Sequence, residues 1–161
     1  MENGLPDLRV PELTDERLRR IGTVHLVGCG TAMHAGMVGK AAIEALARVP
    51  ATGGDRQRVP LPEPHPAAGG SGHHHQPVGR DQRYVGSLKL AKSRGVPVLA
   101  IVNVVGSSIA RAADYVMYTY AGPEIAVAST KAYMVQMCVL YLFALRLLTP
   151  GECRPMPRSA A

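Results

Sequence analysis

The sequence contains no tryptophan and only one phenylalanine among its 161 residues. Aromatic platforms interleaved with Lys and Arg, on which bases stack, are therefore missing. The net charge of +6 is scattered rather than clustered, so no nucleic-acid partner is expected. Cysteine is scarce too. Cys29, Cys138 and Cys153 are odd in number and form no C-x-x-C pair, which argues against a disulfide framework and a zinc site and implies a reducing compartment. No long apolar run is present either. The most hydrophobic stretch, Val127 to Leu148, is interrupted by Ser129, Thr130, Lys131, Gln136 and Arg146, whereas a membrane span needs about 20 nearly unbroken apolar residues. It reads as a buried helix. Met1 to Arg20 alternates charged with apolar residues and lacks the layout of an export signal. A cytoplasmic location without a membrane partner follows.

The chain is 47% hydrophobic, enough for one buried core in a domain of ordinary size. Residues 1–20 read as a lead-in helix over Thr14 to Arg20 with Thr14 as N-cap, residues 21–148 as a single domain, and residues 149–161 as an unstructured tail. Val24 to Val27 is a short strand that runs into Gly28-Cys29-Gly30-Thr31, and Ala32 to Val49 is a helix closed by Pro50. Residues 51–85 show neither helical nor strand periodicity, and Pro60, Pro62, Pro64 and Pro66 alternate in a way that opposes sheet pairing. Order returns with a helix over Ser87 to Arg94 and a continuous apolar run, Val96 to Val102, typical of a parallel strand covered on both faces. Gly106-Ser107-Ser108 opens a short helix, Tyr115 to Tyr120 is a further strand, and a helix from about Ile125 to Leu148 completes an alternating α/β pattern.

A Gly-x-Gly turn between a strand and a helix is a place where backbone N–H groups and the helix dipole can hold a phosphate. A dinucleotide fingerprint would need a third glycine where Met33 stands, so no NAD is expected. Two glycines are equally compatible with a tight turn that holds nothing. His65 and the triplet His73-His74-His75 invite a metal reading, but adjacent side chains point in different directions and no Cys, Asp or Glu stands at ligand spacing. No metal and no cofactor is expected.

Three longer strings are more specific. Val27-Gly28-Cys29-Gly30-Thr31-Ala32-Met33-His34-Ala35-Gly36, then Asn103 to Arg111, then Ala121-Gly122-Pro123-Glu124-Ile125-Ala126-Val127-Ala128-Ser129-Thr130-Lys131-Ala132 stand in this order. Together they resemble the first sugar-isomerase (SIS) repeat of the glutamine-fructose-6-phosphate aminotransferase family. The resemblance implies a doubly wound parallel α/β sheet in a flavodoxin-like three-layer sandwich. It also implies fructose 6-phosphate or glucosamine 6-phosphate as ligand, and a homo-oligomeric parent protein. Matched residue by residue, Gly30, Thr31 and Ala32 fall where the family contacts the sugar phosphate, and Ala32, where the family often has Ser, offers only its backbone. Val127 and Ser129 fall on the segment that meets the sugar. Glu124 and Lys131 match as well, with an equally good reading as a cap and a helix-surface charge.

The family's second and third strands and its Ser-Gln-Ser-Gly-Glu-Thr phosphate loop have no counterpart in this text. The segment has the right length for them. His73 to Gln82 can be encoded so that, read one nucleotide later, it gives Ile-Ile-Ile-Ser-Gln-Ser-Gly-Glu-Thr, and Asp55 to Pro64 likewise gives a family-like string. Residues 53–86 are therefore expected to be out of frame and disordered, with the middle strands lost. The His codons become displaced Ile codons. By resemblance, the ring-opening His, the proton-moving Glu and the Schiff-base Lys lie in a second repeat and a C-terminal tail, and ammonia comes from a glutaminase domain. None of these is matched here, so no catalytic residue is assigned and an inactive fragment is expected. The alternatives are a non-catalytic sugar-phosphate-binding regulatory module and a non-functional frameshifted product.

Overall fold

In a computed structural model, residues 5–55, 68–72, 81–123 and 130–148 are described. Thr14 is extended at the N-cap of α1 (Asp15–Arg19), as its position suggests, although its hydroxyl makes no capping bond. Asp15 and Glu16 fill the first turn and Arg17 and Arg19 the last, matching the helix dipole at both ends. β1 (Val24–Gly28) follows, then α2 (Thr31–Ala42), which continues through a π-helical turn at Ile43–Ala47. Arg48 ends it in the left-handed region at φ 54°. β2 (Ala51–Asp55), β3 (Ala68–Gly72), α3 (Asp81–Ser93), β4 (Val98–Val102), α4 (Ser108–Ala112), β5 (Tyr115–Tyr118) and α5 (Lys131–Arg146) complete the order.

All five strands pair in parallel in the order β2-β1-β3-β4-β5. The chain starts near the middle, winds outward to β2, then crosses to the other side for β3, β4 and β5, which is the doubly wound arrangement the resemblance implies. β4 shows how the layers form. All five of its residues are buried, with Leu99 and Ile101 in one core and Val98, Ala100 and Val102 in the other. The first core also takes in Leu18 of α1, Ala35 and Ala42 of α2 and Val139, Leu140 and Phe143 of α5. The second is closed by Leu88 and Ala91 of α3 and Ile109 of α4. Each large buried side chain contributes roughly 1.5–3 kcal/mol relative to exposure. α2 and α5 approach closely because Gly39 has no side chain: a Cβ there would stand 2.8 Å from Leu140 Cδ1.

The structure departs from the sequence reading in the middle of the chain. Strand periodicity is unreadable there, yet Ala51–Asp55 pairs with all of β1 and Ala68–Gly72 pairs with both β1 and β4. Ladder hydrogen bonds need amides rather than side chains, and β3 occupies a slot between two strands whose backbone groups would otherwise lack partners. The four alternating prolines fall in residues 56–67, outside the described residues. α3 also begins earlier than Ser87, at Asp81. α5 begins later than Ile125, at Lys131, and residues 125–129 lie outside the described residues, as does the tail 149–161.

Candidate functional site

In sheets of this winding, ligands sit at the carboxyl ends of the strands where the chain reverses direction. That point falls between β1 and β3. The end of β1 is built from glycine for two separate reasons. A Cβ on Gly28 would lie 2.8 Å from the backbone of Ala32 and Met33, so the first turn of α2 rests directly on it. Gly30 takes φ 58°, ψ −134°, a conformation that residues with a side chain resist. The result is a sharp turn that points the start of α2 at the crevice.

Gly30 is the N-cap of α2, and its carbonyl accepts from the amides of Met33 at 3.1 Å and His34 at 3.3 Å. A glycine N-cap brings no capping side chain, and the first turn of α2 contains no acidic residue. The positive end of the helix dipole, roughly half an elementary charge, therefore meets no carboxylate from its own turn. Gly30 is exposed, Thr31 is half-buried, and Ala32 is buried with only 3% of its surface accessible. These three predicted residues are thus brought together at one turn. Thr31 brings a hydroxyl to this turn, whereas Ala32 has only its backbone to offer.

Lys131 opens α5 and donates from Nζ to the carbonyl of Pro123 at 2.6 Å. That bond ties the loop after β5 to the helix. Glu124, Val127 and Ser129 lie outside the described residues, as do His65 and His73 to His75.

Asn103, just past β4, has a part in this edge that sequence reasoning missed. Its Oδ1 accepts from the Thr119 hydroxyl at 3.1 Å and the Ala121 amide at 2.8 Å, while its Nδ2 donates to the Gly122 carbonyl at 2.8 Å. One side chain thereby joins the exits of β4 and β5. The available signal was an Asn directly after an apolar strand, where its amide can bond turn backbone. Ser107 caps α4 by accepting the Ala110 amide at 3.2 Å, as the Gly-Ser-Ser string suggests.

Two cavities among the described residues, of about 340 and 450 Å³, lie at the opposite end of the sheet. They share Arg17, Pro97 and Tyr115 beside the starts of β4 and β5. Neither includes the glycine turn. Among the described residues no helix is long and apolar enough to cross a membrane.

Comparison with known proteins agrees with this fold. Residues 77–146 match the family model described as the SIS domain. The glutamine–fructose-6-phosphate aminotransferase (isomerizing) of Caldanaerobacter subterraneus subsp. tengcongensis is 46% identical over 137 residues, covering 83% of this chain and 22% of the relative. The protein of the same name from Symbiobacterium thermophilum is 44% identical over 151 residues, covering 89% and 24%. The chain therefore spans less than a quarter of the length of these curated relatives. Among solved structures, the C-terminal domain of glucosamine-fructose-6-phosphate aminotransferase from Francisella tularensis superposes with a TM-score of 0.76 at 28% identity, over 92% of this chain and 42% of that one. A glucosamine-6-phosphate deaminase from Thermotoga maritima, at 18% identity and TM-score 0.64, covers 83% of this chain and 42% of its own and shares the fold. The chain thus resembles the SIS domain over residues 77–146, and its sequence is related to that of the glutamine–fructose-6-phosphate aminotransferases.

Proposed function

We propose that this chain is a sugar-phosphate-binding SIS domain derived from a glutamine–fructose-6-phosphate aminotransferase of hexosamine biosynthesis, with residues 53–86 translated out of frame, and inactive as written because no residue in it matches the family's ring-opening His, proton-moving Glu or Schiff-base Lys. The observation that carries the ligand reading is the β1–α2 turn. It is an exposed glycine corner at the switch point of a doubly wound sheet, with no acidic residue in the first turn of the helix it opens. A phosphate dianion of fructose 6-phosphate or glucosamine 6-phosphate suits that end of α2, each charge interaction contributing about 0.3–1 kcal/mol. In this reading Gly30, Thr31 and Ala32 take the phosphate and Val127 and Ser129 meet the sugar. Lys131, already bonded to Pro123, holds the loop between them, and Glu124 caps it.

Two observations support the displaced frame. The strands on either side of β1 read Ala-Thr-Gly-Gly-Asp and Ala-Gly-Gly-Ser-Gly, with little to fill a core. The Ser-Gln-Ser-Gly-Glu-Thr loop that would supply phosphate-binding hydroxyls is absent from the text.

Calorimetric titration with fructose 6-phosphate tests both parts. A version with residues 53–86 encoded one nucleotide later should bind, and the chain as written should bind at least tenfold more weakly. In the reframed version Ser129→Ala should weaken binding about fivefold, corresponding to ~1 kcal/mol for one ordinary hydrogen bond. A reframed version that does not bind would refute the site, and equal binding by both would refute the displaced frame.

A further inference from the structure

Two cavities lie at the end of the sheet opposite the glycine turn, away from the proposed sugar-phosphate site. The cavity of about 340 Å³ is walled by Leu13, Ile21, Leu99 and Phe143 together with Pro97 and Tyr115. Its lining is largely apolar, and its size falls in the range of small-molecule pockets, about 300–1,000 Å³. The neighbouring cavity of about 450 Å³ is polar, with Glu12, Arg17, Lys92 and Asp114 around it. The two meet at Arg17, Pro97 and Tyr115.

The charges of the polar cavity are not equivalent. Lys92 and Asp114 pair with one another at 2.8 Å, and both are also committed to backbone, Lys92 donating to the Ala112 carbonyl at 3.0 Å and Asp114 accepting from the Val98 amide at 2.9 Å. Arg17 and Glu12 differ from them. They line one cavity with opposite charges, yet neither forms an ion pair with the other or with any further charge among the described residues. Arg17 is held by Tyr115: Nη1 donates to the hydroxyl, and the guanidinium stands 5.9 Å from the ring centre. That contact fixes the cation where the two cavities join and uses only part of its donor fork. Arg20, the other cation of the apolar cavity, is paired with Glu16 at 2.5 Å.

We propose that this junction binds a free α-amino acid with a large apolar side chain. In such a molecule a single carbon carries the three groups that the junction keeps apart. Arg17 takes the carboxylate, which its planar fork suits. Glu12 takes the ammonium group, and the side chain enters the apolar cavity, where its burial supplies the hydrophobic part of the affinity. A simple carboxylic acid would set its negative charge against Glu12, and a simple amine would set its positive charge against Arg17. The site uses neither the glycine turn nor residues 53–86, so its failure in a test is separate from failure of the sugar-phosphate reading.

Calorimetric titration of the full chain with L-phenylalanine at low salt tests this. A dissociation constant of about 0.1–5 mM is expected for a ligand of this size held by exposed charges. 3-Phenylpropionate lacks the ammonium group, phenethylamine lacks the carboxylate and L-alanine lacks the apolar body, so each should bind several-fold more weakly or not at all. Arg17→Gln should weaken L-phenylalanine at least tenfold. Glu12→Gln should weaken it too, and should abolish its advantage over 3-phenylpropionate. Both side chains are exposed, so the circular dichroism of these variants should match that of the parent chain. Lys89→Gln removes a positive charge from an exposed position of α3 that lines neither cavity, and it should bind as the parent chain does. Absence of binding at about 20 mM overturns the proposal. So does equal affinity for 3-phenylpropionate, phenethylamine or L-alanine, full affinity in Arg17→Gln, an advantage over 3-phenylpropionate that survives Glu12→Gln, or a Lys89→Gln loss as large as that of Arg17→Gln.

Discussion

Gly28 and Gly30 are two residues apart and are glycine for different reasons, one steric and one conformational. Gly28 has no room for a Cβ, because backbone atoms of Ala32 and Met33 would lie 2.8 Å from it. Backbone cannot step aside as the end of a side chain can, so Gly28→Ala should either push α2 off β1 or strain the turn. A loss of about 1–3 kcal/mol is expected from this overpacking, read as a lower midpoint in urea denaturation. Gly22→Ala is the matched control. Nothing lies within 4 Å of a Cβ there, and its φ is not in the positive region, so that variant should be neutral or gain up to about 1 kcal/mol from reduced unfolded-state entropy. Equal midpoints for the two variants would show that the β1–α2 contact is not tight.

At the scale of elements, β3 and β4 are neighbours that differ in what holds them. β4 reads Val-Leu-Ala-Ile-Val and is buried along its length, with side chains in both cores. Three of the five residues of β3 are glycine. It pairs with β1 and β4 through its backbone, and glycine in a strand loses more entropy on ordering than other residues do. Native-state hydrogen exchange should therefore show the amides of β3 opening well before those of β4, by at least tenfold in rate, with β1 close to β4. Exchange of β3 as slow as that of β4 would mean that something other than side-chain burial secures the centre of the sheet. The same contrast explains why β4 was readable in the sequence and β3 was not. β4 advertises itself through consecutive apolar residues, whereas β3 is a strand because of where it lies between two others.

For the whole molecule, the chain matches less than a quarter of the length of its aminotransferase relatives. The residues that would open the sugar ring, move the proton and deliver nitrogen have no match in it by resemblance. It is expected to form no glucosamine 6-phosphate from fructose 6-phosphate, with glutamine or with ammonia, because positioning a phosphate contributes binding without supplying an acid, a base or a nucleophile. Product above a no-protein control in a coupled assay would show that the chemistry has been misassigned.

The order of β1, α2, α3, β4, α4, β5 and α5 could be read from the sequence because each element carries a local signal. Those signals are apolar runs for the strands, Gly28 and Gly30 at the turn, Ser107 at a cap, and an apolar period for the helices. The string from Val27 to Gly36 was enough to place the candidate site at the end of β1. Only the tertiary structure decided that Ala51–Asp55 and Ala68–Gly72 are strands, since their pairing depends on edges offered by β1 and β4 rather than on their own side chains. It also decided the role of Asn103, whose three bonds reach residues 16 to 19 positions away. The two faces of α5 were separated in the same way. Its sequence is apolar nearly all round, and only the position of the sheet determines which stripe is buried and which stays exposed.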